Sequence, residues 1–376
     1  MDAVAHERSR QGLDGLVMPR RAAGVALAVG VAAALACGIA GGLLRAGVVV
    51  PMGGDTLARA AVAHAALMIC AFFGTMIGVE RAVAARHLAA WLAPAASAGA
   101  GIALLAGAGA VASSLLLGAA VAFLGVNVAI LRRQRAAHTA LLVVSAACWL
   151  LGNAAFALHW PMTAIVPWWF MFLVVTIAAE RLEMTRLARR RPGTQGFLFA
   201  IIGALAAGAE MSSFAPGAGG MLWGAAMVAL AAWFFVFDIA RHTIRTPGLP
   251  RYMAVCLLAG YAWLGIGGIA WVAQAADAPT RDIALHAIAL GFVFSMVMAH
   301  APVILPAITR IKLQFGRVFY VPVLLLHASL VWRLAGPWLD ARAFAQGAVA
   351  NALAIALFAT VAAGAAMAWR ARHRAA

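Results

Sequence analysis

Four of the ten histidines in this 376-residue chain fall inside long apolar runs: His64, His286, His300 and His327. His64 opens "AHAALMICAFFGTMIGVERAV" (63–83), a stretch that stays apolar until Glu80 and Arg81. An imidazole is one of the few side chains that ligates a metal or moves a proton near neutral pH. Ionisable groups set among apolar residues of a membrane span are costly to bury and mark function. The other six histidines lie between runs or at their edges and need no special chemistry.

The elements that hold these histidines follow from composition. The chain is 65% hydrophobic and 11% charged, and a soluble domain of this length needs more polar surface than that, so it reads as a polytopic membrane protein. Twelve apolar runs reach the ~20 residues that an α-helix needs to span a bilayer. They lie near 22–43, 60–79, 88–108, 111–131, 138–157, 162–180, 196–213, 219–237, 252–273, 283–306, 318–335 and 345–369. With the N-terminus in the cytoplasm, alternation places 23 of the 28 basic residues inside; only Arg45, Arg59, Arg281, Arg333 and Arg342 fall outside. That asymmetry predicts twelve spans with both termini cytoplasmic. The formal charge of +16 is accounted for by these connections and is not a nucleic-acid signal. The predicted organisation is a cytoplasmic segment 1–21, a twelve-helix domain 22–369 and a cytoplasmic tail 370–376. "MDAVAHERSRQGLDGLVMPRR" is too long and polar for a cleavable signal, so the first run is expected to be an uncleaved span. Cys37, Cys70, Cys148 and Cys256 lie in four different runs without a CxxC and read as packing residues.

Depth distinguishes the histidines. His64 lies about four residues into span 2 from the outside, roughly 6 Å, and His286 about three residues into span 10, roughly 5 Å. Two imidazoles at one depth on different helices are what axial ligation of a single haem requires. Small neighbours (Ala60, Ala61, Ala289) leave room for a flat macrocycle. The outer arginines, Arg281 and Arg333 above all, are candidate partners for haem propionates. His300 lies 14 residues beyond His286 and within about 40° of the same helical face. Pro302 and Pro306 lack the N–H groups that the carbonyls of Met298 and Pro302 would otherwise receive. His327 reaches a similar depth on span 11. The pair is placed for a shared metal, a proton relay or a substrate pocket; the plain alternative is that each histidine bonds a freed carbonyl separately.

"HAALM" (64–68) resembles the span-2 signature of haem-copper oxidase subunit I, where a His-Gly-x-x-Met run supplies an axial ligand of the low-spin haem. It also resembles the His-Ala-His-Glu-Met run of the NnrS family, twelve-helix haem-copper membrane proteins tied to nitric oxide response. His64 and Met68 match the first histidine and the methionine; Ala66 and Leu67 stand where that run has His and Glu. "LHAIALG" (285–291) is similar to the NnrS run His-Ala-Leu-Thr-Val-Gly at His286, Ala287 and Gly291, and it falls on span 10, where the oxidases place other haem ligands. The resemblance implies haem b held by His64 and His286 with Met68 beside it, and copper as a further metal. A further reading is a structural subunit whose interhelix contacts recruit a redox partner protein. Spans 6 and 7 hold no histidine and the closing Leu-Gly-His-Thr-Gly-Arg run of NnrS is missing, so the implication stops short of a complete oxygen-reducing or proton-pumping centre.

"IGVERAVAAR" and "IAAERLEMTR" close spans 2 and 6 with a Glu-Arg pair, Glu80–Arg81 and Glu180–Arg181. The plain reading is interfacial anchoring; the sharper one is three four-helix units in a pseudo-threefold arrangement. Asp238 and Glu210 read as edge charges, Asn127 and Asn153 as interhelix hydrogen-bonders, and Trp160, Trp168, Trp169, Trp332 and Trp338 as interfacial belt residues. The expectation is an all-α inner-membrane haem protein of bacterial type, in lipid. The rival is a twelve-helix secondary transporter without cofactor, against which the scarcity of charge at midplane counts.

Overall fold

The computed structural model describes residues 17–51, 53–185, 193–309 and 311–374. Most of the predicted N-terminal segment lies outside these residues, as do Arg186, Arg189, Arg190, Arg191 and Arg310. Among the described residues there is no strand, and twelve helices are long and apolar enough to cross a membrane. In lipid the backbone must satisfy its own hydrogen bonds, which leaves runs of Ala, Leu, Val and Gly no alternative to the helix.

The helices are α1 (Val17–Arg45); α2, built from Gly54–Val62, Ala66–Phe73 and Gly74–Ala85; α3 (Leu88–Trp91, then Leu92–Ala106); α4 (Gly109–Arg133); α5 (Ala137–Ala157); and α6 (Met162–Met184). They continue as α7 (Thr194–Met211); α8 (Pro216–Phe237); α9 (Leu249–Ala275); α10, built from Arg281–His286, Ala287–Phe294 and Ser295–Thr309; α11 (Arg317–Phe319, then Tyr320–Leu339); and α12 (Ala341–Arg374). All twelve predicted spans are present. The largest shifts are extensions at both kinds of end: α1 begins at Val17, α2 begins at Gly54 and ends at Ala85, and α12 ends at Arg374, because helix propensity carries on through flanking polar residues where hydropathy falls. The predicted tail is helical through Arg374 as the end of α12.

Contacts divide the chain into two compact units. One comprises the chain up to Gly42 and Pro51–Phe123; the other comprises Leu43–Val50 and Leu124–Ala376. In the smaller unit α1, α2 and α3 pack through small residues. A Cβ on Gly101 of α3 would lie 2.9 Å from the Ala71 Cβ of α2. Ser97 Oγ of α3 donates to the Cys70 carbonyl of α2 at 2.6 Å.

The larger unit is built around α6. Of the most apolar window of α6, 89% is buried, against 28% for α12, so α6 is shielded from lipid by its neighbours. The α5–α6 hairpin is fixed by Trp149 stacked on Phe172 at 4.7 Å and by Trp169 Nε1 donating to Asn153 Oδ1 at 2.9 Å. Asn153 is thus an interhelix hydrogen-bonder as predicted. Trp168 and Trp169 are not belt residues: they are 7% and 0% exposed, because α6 faces protein on all sides. Trp160, Trp332 and Trp338 are exposed, as a belt requires. The backbones of α8 and α9 meet at Gly224 and Gly268, where a Cβ on either would lie 2.7 Å from the other's carbonyl oxygen. Large apolar side chains point outward: Val25, Ile269 and Leu324 are each more than 60% exposed. That arrangement is stable only in lipid.

Candidate functional site

Two helices are interrupted in the same way. In α2 the segment Ala66–Phe73 is π-helical, and in α10 the segment Ala287–Phe294 is too; each is eight residues long. π-Helical turns are rare and gather at functional sites. His64 lies two residues before the first segment and His286 immediately before the second. The return to α-helix is also alike. A wide turn loosens the i→i+4 backbone pairing, and a hydroxyl four residues on takes the carbonyl: Thr75 Oγ1 donates to Ala71 at 2.6 Å and Ser295 Oγ to Gly291 at 2.5 Å. Neither hydroxyl carried a signal in the sequence, since a Ser or Thr inside an apolar run is ordinary.

In the smaller unit His64 sits against the glycines of α1. Its Nδ1 is 2.7 Å from the Gly38 carbonyl oxygen. A carbonyl only accepts, so Nδ1 carries the proton and Nε2 keeps the lone pair. The ring fits because α1 presents no side chain there: a Cβ on Gly42 would lie 2.8 Å from His64 Cε1, and one on Gly38 2.6 Å from Met68 Sδ. Met68 therefore accompanies His64 on the α1 side. Ala60 does not provide open space: a Cβ on Gly41 would lie 2.3 Å from the Ala60 carbonyl oxygen, so the small residues there serve the contact between α1 and α2.

In the larger unit His286 belongs to a three-residue ionic cluster. Its Nδ1 is 2.9 Å from Asp282 Oδ1 and 3.1 Å from the Asp282 carbonyl. Both are acceptors, so Nδ1 again carries the proton. Asp282 also accepts two hydrogen bonds from Arg333 of α11, at 2.9 and 3.1 Å. Arg333 donates from Nη2 to His286 Nε2 at 3.1 Å. The Arg333 guanidinium lies over the Phe344 ring of α12, 5.2 Å from its centre, and the Arg333 backbone is where a Cβ on Gly347 would fall. Arg333, predicted as a propionate partner, is thus committed to an aspartate that sequence reasoning passed over. The signal was present: Asp282 and His286 are spaced i, i+4, one above the other on one helical face. Arg281 is not in this cluster; it lines a separate cavity.

His300 and His327 are held by different partners. His300 Nδ1 is 2.7 Å from the Met296 carbonyl, and its Nε2 is 3.5 Å from Arg181 Nη1. Arg181 makes a two-pronged pair with Asp238 at 2.7 and 3.0 Å, with the side chains 2% and 1% exposed. Asp238 is therefore not an edge charge, and Arg181 departs from the pattern of Arg81, which pairs with its neighbour Glu80 at 2.8 Å. Hydropathy could not separate these cases, since all four residues close apolar runs. His327 Nδ1 accepts from Trp263 Nε1 at 3.0 Å. Its Nε2 then carries the proton and has no lone pair for a metal; that nitrogen is buried without a hydrogen-bond partner. The carbonyl of Met298, freed by Pro302, is served by Tyr252 at 3.1 Å and by neither histidine. No group of three or more His, Cys, Asp or Glu that could hold a metal ion occurs among the described residues.

Fold and composition define a multi-pass, all-α membrane protein of twelve spans, in contact with lipid. The chain belongs to the DUF8744 family, a domain of unknown function, whose model matches residues 24–367. No curated protein and no solved structure matches it.

Proposed function

We propose that this is a haem-binding protein of the bacterial inner membrane, with His64 and His286 as the axial ligands of one haem b and both termini cytoplasmic. One observation carries the reading. Each histidine stands at the start of a π-helical segment with Nδ1–H committed to an oxygen acceptor, Gly38 in one unit and Asp282 in the other. A metal-bound imidazole needs that second hydrogen bond to fix its tautomer and raise its basicity. The equal depth of the two residues in the sequence, and the resemblance of their surroundings to NnrS and oxidase motifs, support the same reading. When bound, haem iron supplies one-electron chemistry, which suits electron transfer through a redox partner or nitric-oxide-related chemistry. Gly38 and Asp282 orient the two rings. Arg333 donates to His286 Nε2 and would have to release it for that nitrogen to bind iron; its guanidinium would then be shared between Asp282 and a propionate. Copper gains no such support, because His327 presents a protonated Nε2.

The rival reading, a secondary transporter without cofactor, is favoured by the interruption of α2 and α10, since transporters use broken helices. Absorption spectra of the purified protein, oxidised and reduced, separate the two. A reduced α-band is expected in the wild type, with loss of haem in His64→Ala and in His286→Ala. A haem-free wild-type protein, or unchanged spectra in both variants, would overturn the haem reading.

A further inference from the structure

A cavity of about 170 Å³, open to the surface at Asp277 and Arg281, lies in the larger unit between the start of α6, the end of α7, the start of α8, the end of α9 and the start of α10. All five ends belong to the arginine-poor side of the sequence. Four features of its lining bear on what it takes.

Asp277 and Arg281 both line it, one carboxylate and one guanidinium. Neither side chain has an ion-pair or hydrogen-bond partner among the described residues, although the two share one small cavity. The two side chains do not pair with each other, and both reach solvent. Gln274 contributes an amide whose Oε1 is buried without a hydrogen-bond partner; a buried acceptor in that state calls for a donor from water or a ligand. Trp271, only 8% exposed, forms an apolar wall and is itself backed by Trp223 at 4.2 Å between ring centres. On the α8 side Gly217 and Gly220 line it where the helix packs closely on α9: a Cβ on Gly220 would lie 3.0 Å from the Ala275 Cβ.

Size narrows the ligand. A cavity of ~150 Å³ accepts a molecule as large as benzene, so this one holds about six non-hydrogen atoms and is too small for a drug-sized or nucleotide ligand. Charge narrows it further. A simple anion would satisfy Arg281 but would face the Asp277 carboxylate and leave the Gln274 acceptor without a donor. A simple cation would leave Arg281 unpaired. A molecule with a carboxylate at one end and an ammonium at the other satisfies all three.

We propose that this cavity binds a small zwitterion of the size of glycine or alanine, with its carboxylate on Arg281 and its ammonium shared by Asp277 and Gln274 Oε1. The site stands independently of whether the protein carries haem.

Isothermal titration calorimetry on the full-length protein in detergent tests it. Glycine and alanine are titrated, with acetate and methylammonium as half-ligands. Saturable binding of at least one amino acid is expected, with both half-ligands at least tenfold weaker. Asp277→Asn and Arg281→Gln should each weaken amino-acid binding at least tenfold, and both lie at exposed positions where substitution spares the fold. Absence of saturable amino-acid binding to the wild type would overturn the proposal. So would acetate binding as tightly as glycine, which would make the site a plain anion site, or full affinity in both variants.

Discussion

Asp282 and Asp238 stand within one residue of the ends of their apolar runs and look alike in sequence, yet they do different things. Asp282 takes two hydrogen bonds from Arg333 and one from His286 at a part-exposed position. Asp238 is sealed with Arg181. The first arrangement orients an imidazole; the second holds three helices together. If haem is bound as proposed, Arg333→Gln removes a positive charge beside the iron and leaves Asp282 uncompensated. Both changes disfavour the reduced, less positive iron, so the reduction potential should fall. A potentiometric titration checks the sign; an unchanged or raised potential would place Arg333 away from the haem. At the same scale, Gly42→Leu drives a side chain into the His64 ring. The expected result is a loss of haem comparable to that of His64→Ala, while chain folding, read by helical circular dichroism, persists.

The π-helical segments of α2 and α10 are properties of whole elements. Eight residues in each are wound with i→i+5 pairing, and Thr75 and Ser295, just beyond, each donate to a carbonyl of the segment. Removing a hydroxyl leaves a buried carbonyl short of a donor, which costs about 1–3 kcal/mol. Ser295→Ala and Thr75→Val should therefore lower the thermal midpoint in detergent and shift the spectrum of any bound haem, because each π segment begins beside its histidine. A control such as Ser114→Ala on α4, an exposed position, should do neither. The prolines of α10 illustrate the same accounting of backbone groups: Pro302 frees the Met298 carbonyl, and Tyr252 from α9 takes it. Tyr252→Phe is expected to destabilise by a similar amount, measured in the same melts.

At the scale of the molecule, the Arg181–Asp238 pair ties α6, the end of α8 and, through His300, α10. Breaking a buried pair by removing one partner costs about 3–5 kcal/mol, whereas replacing both by apolar residues is often neutral. Asp238→Ala should abolish accumulation of folded protein, and Arg181→Met with Asp238→Leu should restore it; fluorescence-detected size exclusion reads both. Twelve spans also require both ends of the chain on one side. Impermeant thiol labels on single cysteines introduced at residues 3 and 374, with the native four replaced, should react together, and only when the cytoplasmic face is opened.

The sequence alone determined the class of fold and the number of spans. Hydropathy and the placement of arginine are summed over some twenty residues per helix, and no local packing detail reverses such a sum. It also singled out His64 and His286, since an imidazole inside an apolar run is conspicuous without any knowledge of its neighbours. Tertiary structure alone decided the partners: Gly38 for His64, Asp282 and Arg333 for His286, Arg181 for His300, Trp263 for His327. It alone decided that α6 is enclosed, that Asp238 is buried, and that Arg281 faces a cavity with Asp277. Burial and pairing depend on which helix faces which, and in membranes that choice rests on small residues and single hydrogen bonds. Hydropathy is blind to it, because a face turned to lipid and a face turned to protein are equally apolar.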